Sequence, residues 1–235
     1  MIKRVDPLCK IMQLFLIFEE LDIMLIYAVA DIHGKPERLS YIRKTIADRS
    51  PDVLVAAGDI TGYIHPFPTI KALNGMPIPV IAVRGNTDLP VVEKLFERHP
   101  NLYHAHLNHI PIRERIFTGI SGTVPVPFRS RVRLREKRTL NEAASLVDKT
   151  SILVVHPPPW GILDGVLGKF HAGSKGVLRL LNESEPALCI CGHIHEMPGT
   201  QMYKTTLVVN CSMGRGGGGV MIELGGDGRA HCEFV

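Results

Sequence analysis

Five short apolar runs, each leading into a fragment that carries metal-ligand-type side chains, set the strongest constraint on how this chain folds. They occupy residues 25–30, 53–57, 80–83, 152–155 and 187–191. Runs this short, partly β-branched and bounded by Gly or Asp, mark strands buried on both faces. The fragments at their ends are equally ordered: Asp31 and His33, then Gly58-Asp59, then Gly85-Asn86-Thr87-Asp88, then His156, then Gly192-His193-Ile194-His195. Polar groups at the exits of several buried strands converge on one crevice, which is where open α/β sheets place their ligands.

The segments between the runs carry helical periodicity. Residues 36–47 place Leu39, Ile42 and Ile46 on one stripe, and residues 89–98 do the same with Val91, Val92, Leu95 and Phe96. Thr139 and Glu142 have capping-box spacing, which predicts a helix running from there to about residue 147. A further helix is expected through Val177–Leu181, ended by the segment 183–186. Short strands are expected within 102–120, and again at about 204–210, 219–224 and 230–235. Strand–helix alternation in the first ninety-odd residues predicts an α/β fold with a largely parallel sheet.

Composition narrows the class without choosing the function. With 27 basic against 23 acidic residues the chain carries +4, too mild a charge to imply nucleic acid. A hydrophobic share of 45% and a charged share of 21% are ordinary for a soluble protein. The five cysteines have no framework spacing, so reduced thiols and a cytoplasmic location are expected. Cys189 and Cys191 alternate along one run and share a face, where small buried hydrophobes outweigh a soft-metal site. Residues 11–18 are apolar but far short of the roughly 20 needed to span a bilayer. A signal peptide there lacks a small-residue cleavage site, and cleavage before Asp31 would remove the first core strand. Met24 stands where a natural start would, and otherwise residues 1–23 form an accessory helix. Residues 24–235 read as a single domain, compatible with a homo-oligomer.

Two divalent cations a few ångströms apart need a shared anionic ligand, and Asp59 is the natural bridge. Asp31 and His33 can point at one ion, and His193 and His195 can each serve a different one. Asn86 offers a neutral oxygen and His156 an imidazole nitrogen. This donor set suits Mn²⁺, Fe, Ni²⁺ or Zn²⁺, with no thiolate placed to favour a softer metal.

The order Asp-x-His, Gly-Asp, Gly-Asn-x-Asp, His, Gly-His-x-His resembles the calcineurin-like metallophosphoesterase superfamily, over Met24 to about Asn210. The resemblance implies two mixed β-sheets in a sandwich flanked by helices, with a dinuclear site at strand ends. It implies that Asp31, His33, Asp59 and His195 hold one metal, and that Asp59, Asn86, His156 and His193 hold the other, with Mn²⁺ first among candidates. It also implies a phosphate-ester substrate, a nucleotide among them, and hydrolysis by a hydroxide bridging the metals. A phosphodiesterase is the expected activity. A phosphomonoesterase, a nucleotide pyrophosphohydrolase, or a scaffold like the retromer subunit of this superfamily are the rivals.

One position departs from the pattern. Many members carry His after the motif Asn, thought to protonate the leaving group, and here that residue is Thr87. General acid–base groups contribute about 10²–10⁴-fold, so a replacement matters. His65 and His171 are the candidates, and Asp88 is expected to orient Asn86 or a neighbouring His from outside the metal shell.

Three other features stand apart. Arg129, Arg131, Arg133 and Arg135 alternate, which would put them on one face of an extended segment as a solvated edge or a phosphate-binding surface. Trp160, after three prolines, is a candidate to line the substrate mouth. Residues 214–219, nearly all glycine, lack the ending of a phosphate-binding loop and read as a flexible hairpin.

Overall fold

The structure, a computed structural model, describes residues 23–62, 64–122, 131–168 and 170–235, with backbone alone for 131–137. In its first half, β1 (Met24–Val29), β2 (Val53–Ala57), β3 (Val80–Val83) and β4 (Leu102–His104) pair in parallel. They are connected by α1 (Pro36–Arg49), α2 (Pro66–Asn74) and α3 (Val91–Glu97). Two late strands, β13 (Val220–Leu224) and β14 (Ala230–Phe234), add antiparallel on the far side of β1. The first sheet is therefore ordered β14-β13-β1-β2-β3-β4.

The second sheet has its own parallel centre, β6 (Arg115–Ile120), β7 (Ile152–Val155), β10 (Leu188–Cys191) and β12 (Thr206–Asn210). Antiparallel edges β5 (Ile110–Ile112) and β11 (Gly199–Tyr203) complete it. Two helices, α4 (Arg131–Ala144) and α5 (Lys175–Ser184), lie along the connections. A small hairpin, β8 (Gly165–Val166) and β9 (Phe170–His171), interrupts the loop after β7. Two mixed sheets flanked by helices is the architecture the resemblance implied.

Side-chain alternation explains the layering. In β1, Met24, Ile26 and Ala28 enter the apolar layer shared with Leu188 and Ile190 of β10. Tyr27 and Val29 join the helix-side layer with Ile42, Ile70 and Phe96. Cys189 and Cys191 face the other way from Leu188 and Ile190, toward Ala143, Val177 and Leu181, as their spacing predicts. Burying each such aliphatic chain is worth about 1.5–3 kcal/mol. Local signals fix the helix ends: Pro36 opens α1, and Ser50, at φ 49°, closes it by donating its N–H to Ile46 O. Ser174 caps α5 by accepting from Val177 N.

Three expectations are corrected. Helix α4 already includes Arg131, so Thr139 lies inside it and not at its start, and Glu142 bonds Arg138 one turn back. The same helix replaces the extended segment expected at Arg131, Arg133 and Arg135. Alternate positions are about 200° apart around a helix, so position 133 no longer shares a face with positions 131 and 135. Arg129 lies outside the described residues, as do residues 1–22. The strand expected at about 204–210 is present as β12, the second arm of a hairpin with β11 that turns at Lys204. Residues 214–219 do not turn back as a hairpin: they carry the chain from β12 in one sheet to β13 in the other. No helix among the described residues is long and apolar enough to cross a membrane.

Candidate metal centre

Both parallel sets of strands deliver their carboxyl ends to the same edge of the sandwich, and a parallel bridge from Ala30 to Ser212 stitches the sheets there. After β1 and β2 separate, their loops remain bonded. Asp31 N donates to Gly58 O (3.0 Å), His33 N to Asp59 O (2.8 Å) and Gly34 N to Ile60 O (3.0 Å). Four side chains of the cluster stand on left-handed backbone, Asp31 (φ 60°), His33 (52°), Asp59 (50°) and His193 (68°). Such non-glycine conformations cost about 1–3 kcal/mol each and persist where surrounding structure imposes them.

All seven residues expected as ligands come together. Atoms of Asp31, His33 and His195 lie within 4.8 Å of one another, and so do atoms of Asp31, Asp59 and His156. His156 Nε2 is 3.0 Å from Asn86 Oδ1, 3.3 Å from Asp59 Oδ2 and 4.0 Å from Asp31 Oδ1. His195 Nε2 is 3.2 Å from Asp31 Oδ1. The ring of His193 sits 5.0 Å from that of His156, and the ring of His33 5.6 Å from that of His195.

The donor set fits divalent cations on two observations. First, Asp31 Oδ1 is buried and completes no hydrogen bond, although His195 is close. A buried carboxylate oxygen without a partner is costly unless a cation takes the place. Second, His156 Nδ1 donates to Ala57 O (2.9 Å), which turns the Nε2 lone pair toward the oxygens of Asn86, Asp59 and Asp31. Lone pairs converging in this way need a positive charge between them. A proton serves without metal: burial opposes it, yet Asp59 and Asp31 carry the His156 imidazole up to about 9. Burial, reinforced by His156, pushes His193 down to about 4, leaving its imidazole neutral as a ligand must be. Burial works against the Asp59 carboxylate, but His156 and the Thr87 amide hold it well below the usual range. By the same balance of burial against His195 and His156, Asp31 is held low.

Supporting groups fix these side chains. Asp31 Oδ2 accepts His193 N (3.0 Å), and Asp59 Oδ1 accepts Thr87 N (2.8 Å). Asp88 is buried and accepts from Ile60 N (3.0 Å), Thr61 N (2.7 Å), Thr61 Oγ1 (2.8 Å) and Gly85 N (2.9 Å). Contrary to expectation, its side chain bonds neither Asn86 nor a His. Three of these bonds join the loop after β2 to the loop after β3, and the fourth, from Gly85 N, closes the latter on itself, so Asp88 acts by placing Asp59 and Asn86 through their backbones. Two glycines make close approach possible. A Cβ on Gly85 would lie 2.1 Å from Asp59 Oδ1, and one on Gly58 2.5 Å from His156 Nδ1.

Other predicted residues fall outside this cluster. His65 is exposed at the residue before α2 and makes no side-chain capping bond. Trp160 packs its ring 5.3 Å from that of His171, with Lys175 Nζ 4.6 Å over it. The side chains of Arg131 and Arg133 belong to the segment described by backbone alone. Sequence reasoning missed Arg38 of α1, whose guanidinium donates to Asp31 O and to Gly214 O, and buried Asn210, which donates to Ile194 O (3.0 Å). Asn210 ends an apolar strand, the same signal that located the ligands. Arg38 left none, since exposed helices carry many arginines.

A model of the calcineurin-like phosphoesterase family matches residues 24–197. The chain is 29% identical over 201 residues to an uncharacterized protein of Methanocaldococcus jannaschii, covering 80% of this chain and 88% of that one. Its fold is similar to that of a Thermus thermophilus crystal structure, with a TM-score of 0.69 and 17% identity over 90% of this chain and 99% of that one. It is also similar to an anchor in the inner membrane complex of Plasmodium, with a TM-score of 0.61 and 16% identity over 91% and 84%.

Proposed function

Because the chain belongs to the calcineurin-like phosphoesterase family and is a phosphate-ester hydrolase, we propose that it is a dinuclear metal-dependent phosphodiesterase, formed as one domain by residues 24–235. Asp59 is the shared ligand. Asp31, His33 and His195 would complete one cation site, and Asn86, His156 and His193 the other. Two such cations supply Lewis acidity toward the phosphoryl oxygens and lower the pKa of the attacking water, with Mn²⁺ best suited to this oxygen- and imidazole-rich set. The chain's own part is positional. His156 keeps one tautomer through Ala57 O, Asp88 holds the loops of Asp59 and Asn86, and the His193 amide holds Asp31.

The observation that carries this reading is the unpartnered Asp31 Oδ1 beside the inward-facing lone pair of His156 Nε2. Arg38 ties the carbonyls of Asp31 and Gly214 together beside the centre. The buried free thiols Cys189, Cys191 and Cys211 support a reducing, cytoplasmic setting.

Purified protein with Mn²⁺ is expected to hydrolyse bis-p-nitrophenyl phosphate faster than p-nitrophenyl phosphate. Faster cleavage of the monoester would replace the diesterase reading with a phosphomonoesterase. Absence of turnover with Mn²⁺, Ni²⁺, Co²⁺ and Zn²⁺ would replace it with a scaffold.

A further inference from the structure

Every imidazole in the metal cluster is a ligand, and Thr87 has no proton to give near neutral pH. An alkyl or phenyl ester nonetheless leaves as a strong base unless its oxygen is protonated as the P–O bond breaks. The chain places one fully built His–carboxylate pair in the loop that leaves His156. Asp164 is 2% exposed there, and all of its bonds are local. Its Oδ2 accepts Gly161 N (2.9 Å) and Gly173 N (3.0 Å), while its Oδ1 accepts from His171 Nδ1 at 2.7 Å. The His171 side chain is 53% exposed, and its Nε2 has no partner among the described residues.

The loop around this pair is held closed. Ser174 N donates to Pro158 O (2.8 Å) and Trp160 N to Ser174 O (3.1 Å), while Ala172 N donates to Asp164 O (3.0 Å). A Cβ on Gly173 would lie 2.7 Å from Pro159 O and 2.8 Å from Asp164 Oδ2, so that position admits only glycine without rearrangement. Trp160 covers one side of the imidazole, with Lys175 above the indole. The loop also spans two ligand-bearing exits. It starts at His156, and its β8 end lies against the turn after His195. A Cβ on Gly165 would contact Met197 Sδ at 3.9 Å, and Leu163 reaches Gly199.

We propose that His171 is the general acid of this phosphoesterase and that Asp164 positions it; the assignment rests on the hydrolase reading above. The carboxylate fixes a proton on Nδ1 and orients the ring, leaving the exposed Nε2 as the nitrogen that carries the transferable proton. As the P–O bond breaks, its electron pair goes to the leaving oxygen, which takes the Nε2 proton. His171 is left neutral, with Nδ1–H still donated to Asp164, and regains a proton from water. His65, the other candidate, has no carboxylate partner among the described residues to orient it.

The test compares His171→Gln with the natural protein on two diesters in the presence of Mn²⁺. Nitrophenolate leaves without a proton, whereas phenolate is far more basic. The kcat for diphenyl phosphate should fall about 10²-fold, and for bis-p-nitrophenyl phosphate no more than about 3-fold. Imidazole in the buffer should partly restore diphenyl phosphate cleavage to His171→Ala. Nitrogen NMR of the metal-free protein should show the neutral His171 ring protonated at Nδ1, a preference that Asp164→Asn abolishes. Equal losses on both esters, or none on diphenyl phosphate, would overturn the assignment, as would an Nδ1 without its proton. No turnover of either ester by the natural protein would remove the hydrolase reading and this assignment together, whereas equal losses would remove this assignment alone.

Discussion

The two sheets contribute different chemistry to one centre. Exits of the first sheet supply Asp31, His33, Asp59 and Asn86, which include both carboxylates; exits of the second supply His156, His193 and His195, imidazoles only. Each sheet also holds the other's ligands. His156 of the second sheet donates to Ala57 O of the first, and the His193 amide donates to Asp31 Oδ2. Neither half is a metal site by itself, so the centre is a product of sandwich closure. A second contrast lies in access: the Asp31 side chain is fully buried, while that of His195 is 38% exposed.

Removing charge from the first sheet should do the most damage. Asp59→Asn is expected to lower kcat by at least about 10³-fold and to weaken metal uptake, measured by steady-state kinetics and metal analysis. Asp88→Ala, which leaves three backbone donors and one hydroxyl without their acceptor, should cost about 3 kcal/mol. For a chain of this size that is a Tm lower by roughly 6–12 °C in a thermal melt, with loss of activity accompanying it. An unshifted Tm would mean that the two loops hold each other without Asp88. His195→Ala should be milder, about 10–10²-fold in metal affinity, because water can reach the vacated position. A loss as severe as that of Asp59→Asn would erase the distinction drawn between the sheets. Cys189→Ala, behind the second sheet, should cost only about 1 kcal/mol and leave kcat unchanged. Burial carries the Cys189 thiol up to about 12, so it should also resist thiol reagents in the native protein.

The clustered side chains were legible because each requirement is local: an apolar run, then a turn, then a polar side chain at fixed offset. The same logic exposes Cys189 and Cys191 as packing residues. The features that escaped depend on partners distant in sequence. Nothing near residues 214–219 says that the next strand belongs to the other sheet, since that choice is made by pairing with β1. Asp88 was recognisable as important, but its bonds to Ile60 and Thr61 lie 28 and 27 residues away and have no local trace. The start of α4 is a different case. Arg, Leu, Glu and Lys are good helix formers, and that propensity overrode the alternation at 129–135. His171 was visible as a candidate, while the buried carboxylate that distinguishes it from His65 was not.

Calorimetric titration of the metal-free protein with Mn²⁺ tests closure of the two-sheet centre most directly. Two ions should bind per chain, with reduced uptake in both Asp59→Asn and His156→Ala, and with proton release on binding as the metal displaces the His156 proton. Fewer than two ions in the natural protein, or two undiminished in either variant, would contradict a centre built jointly by the two sheets.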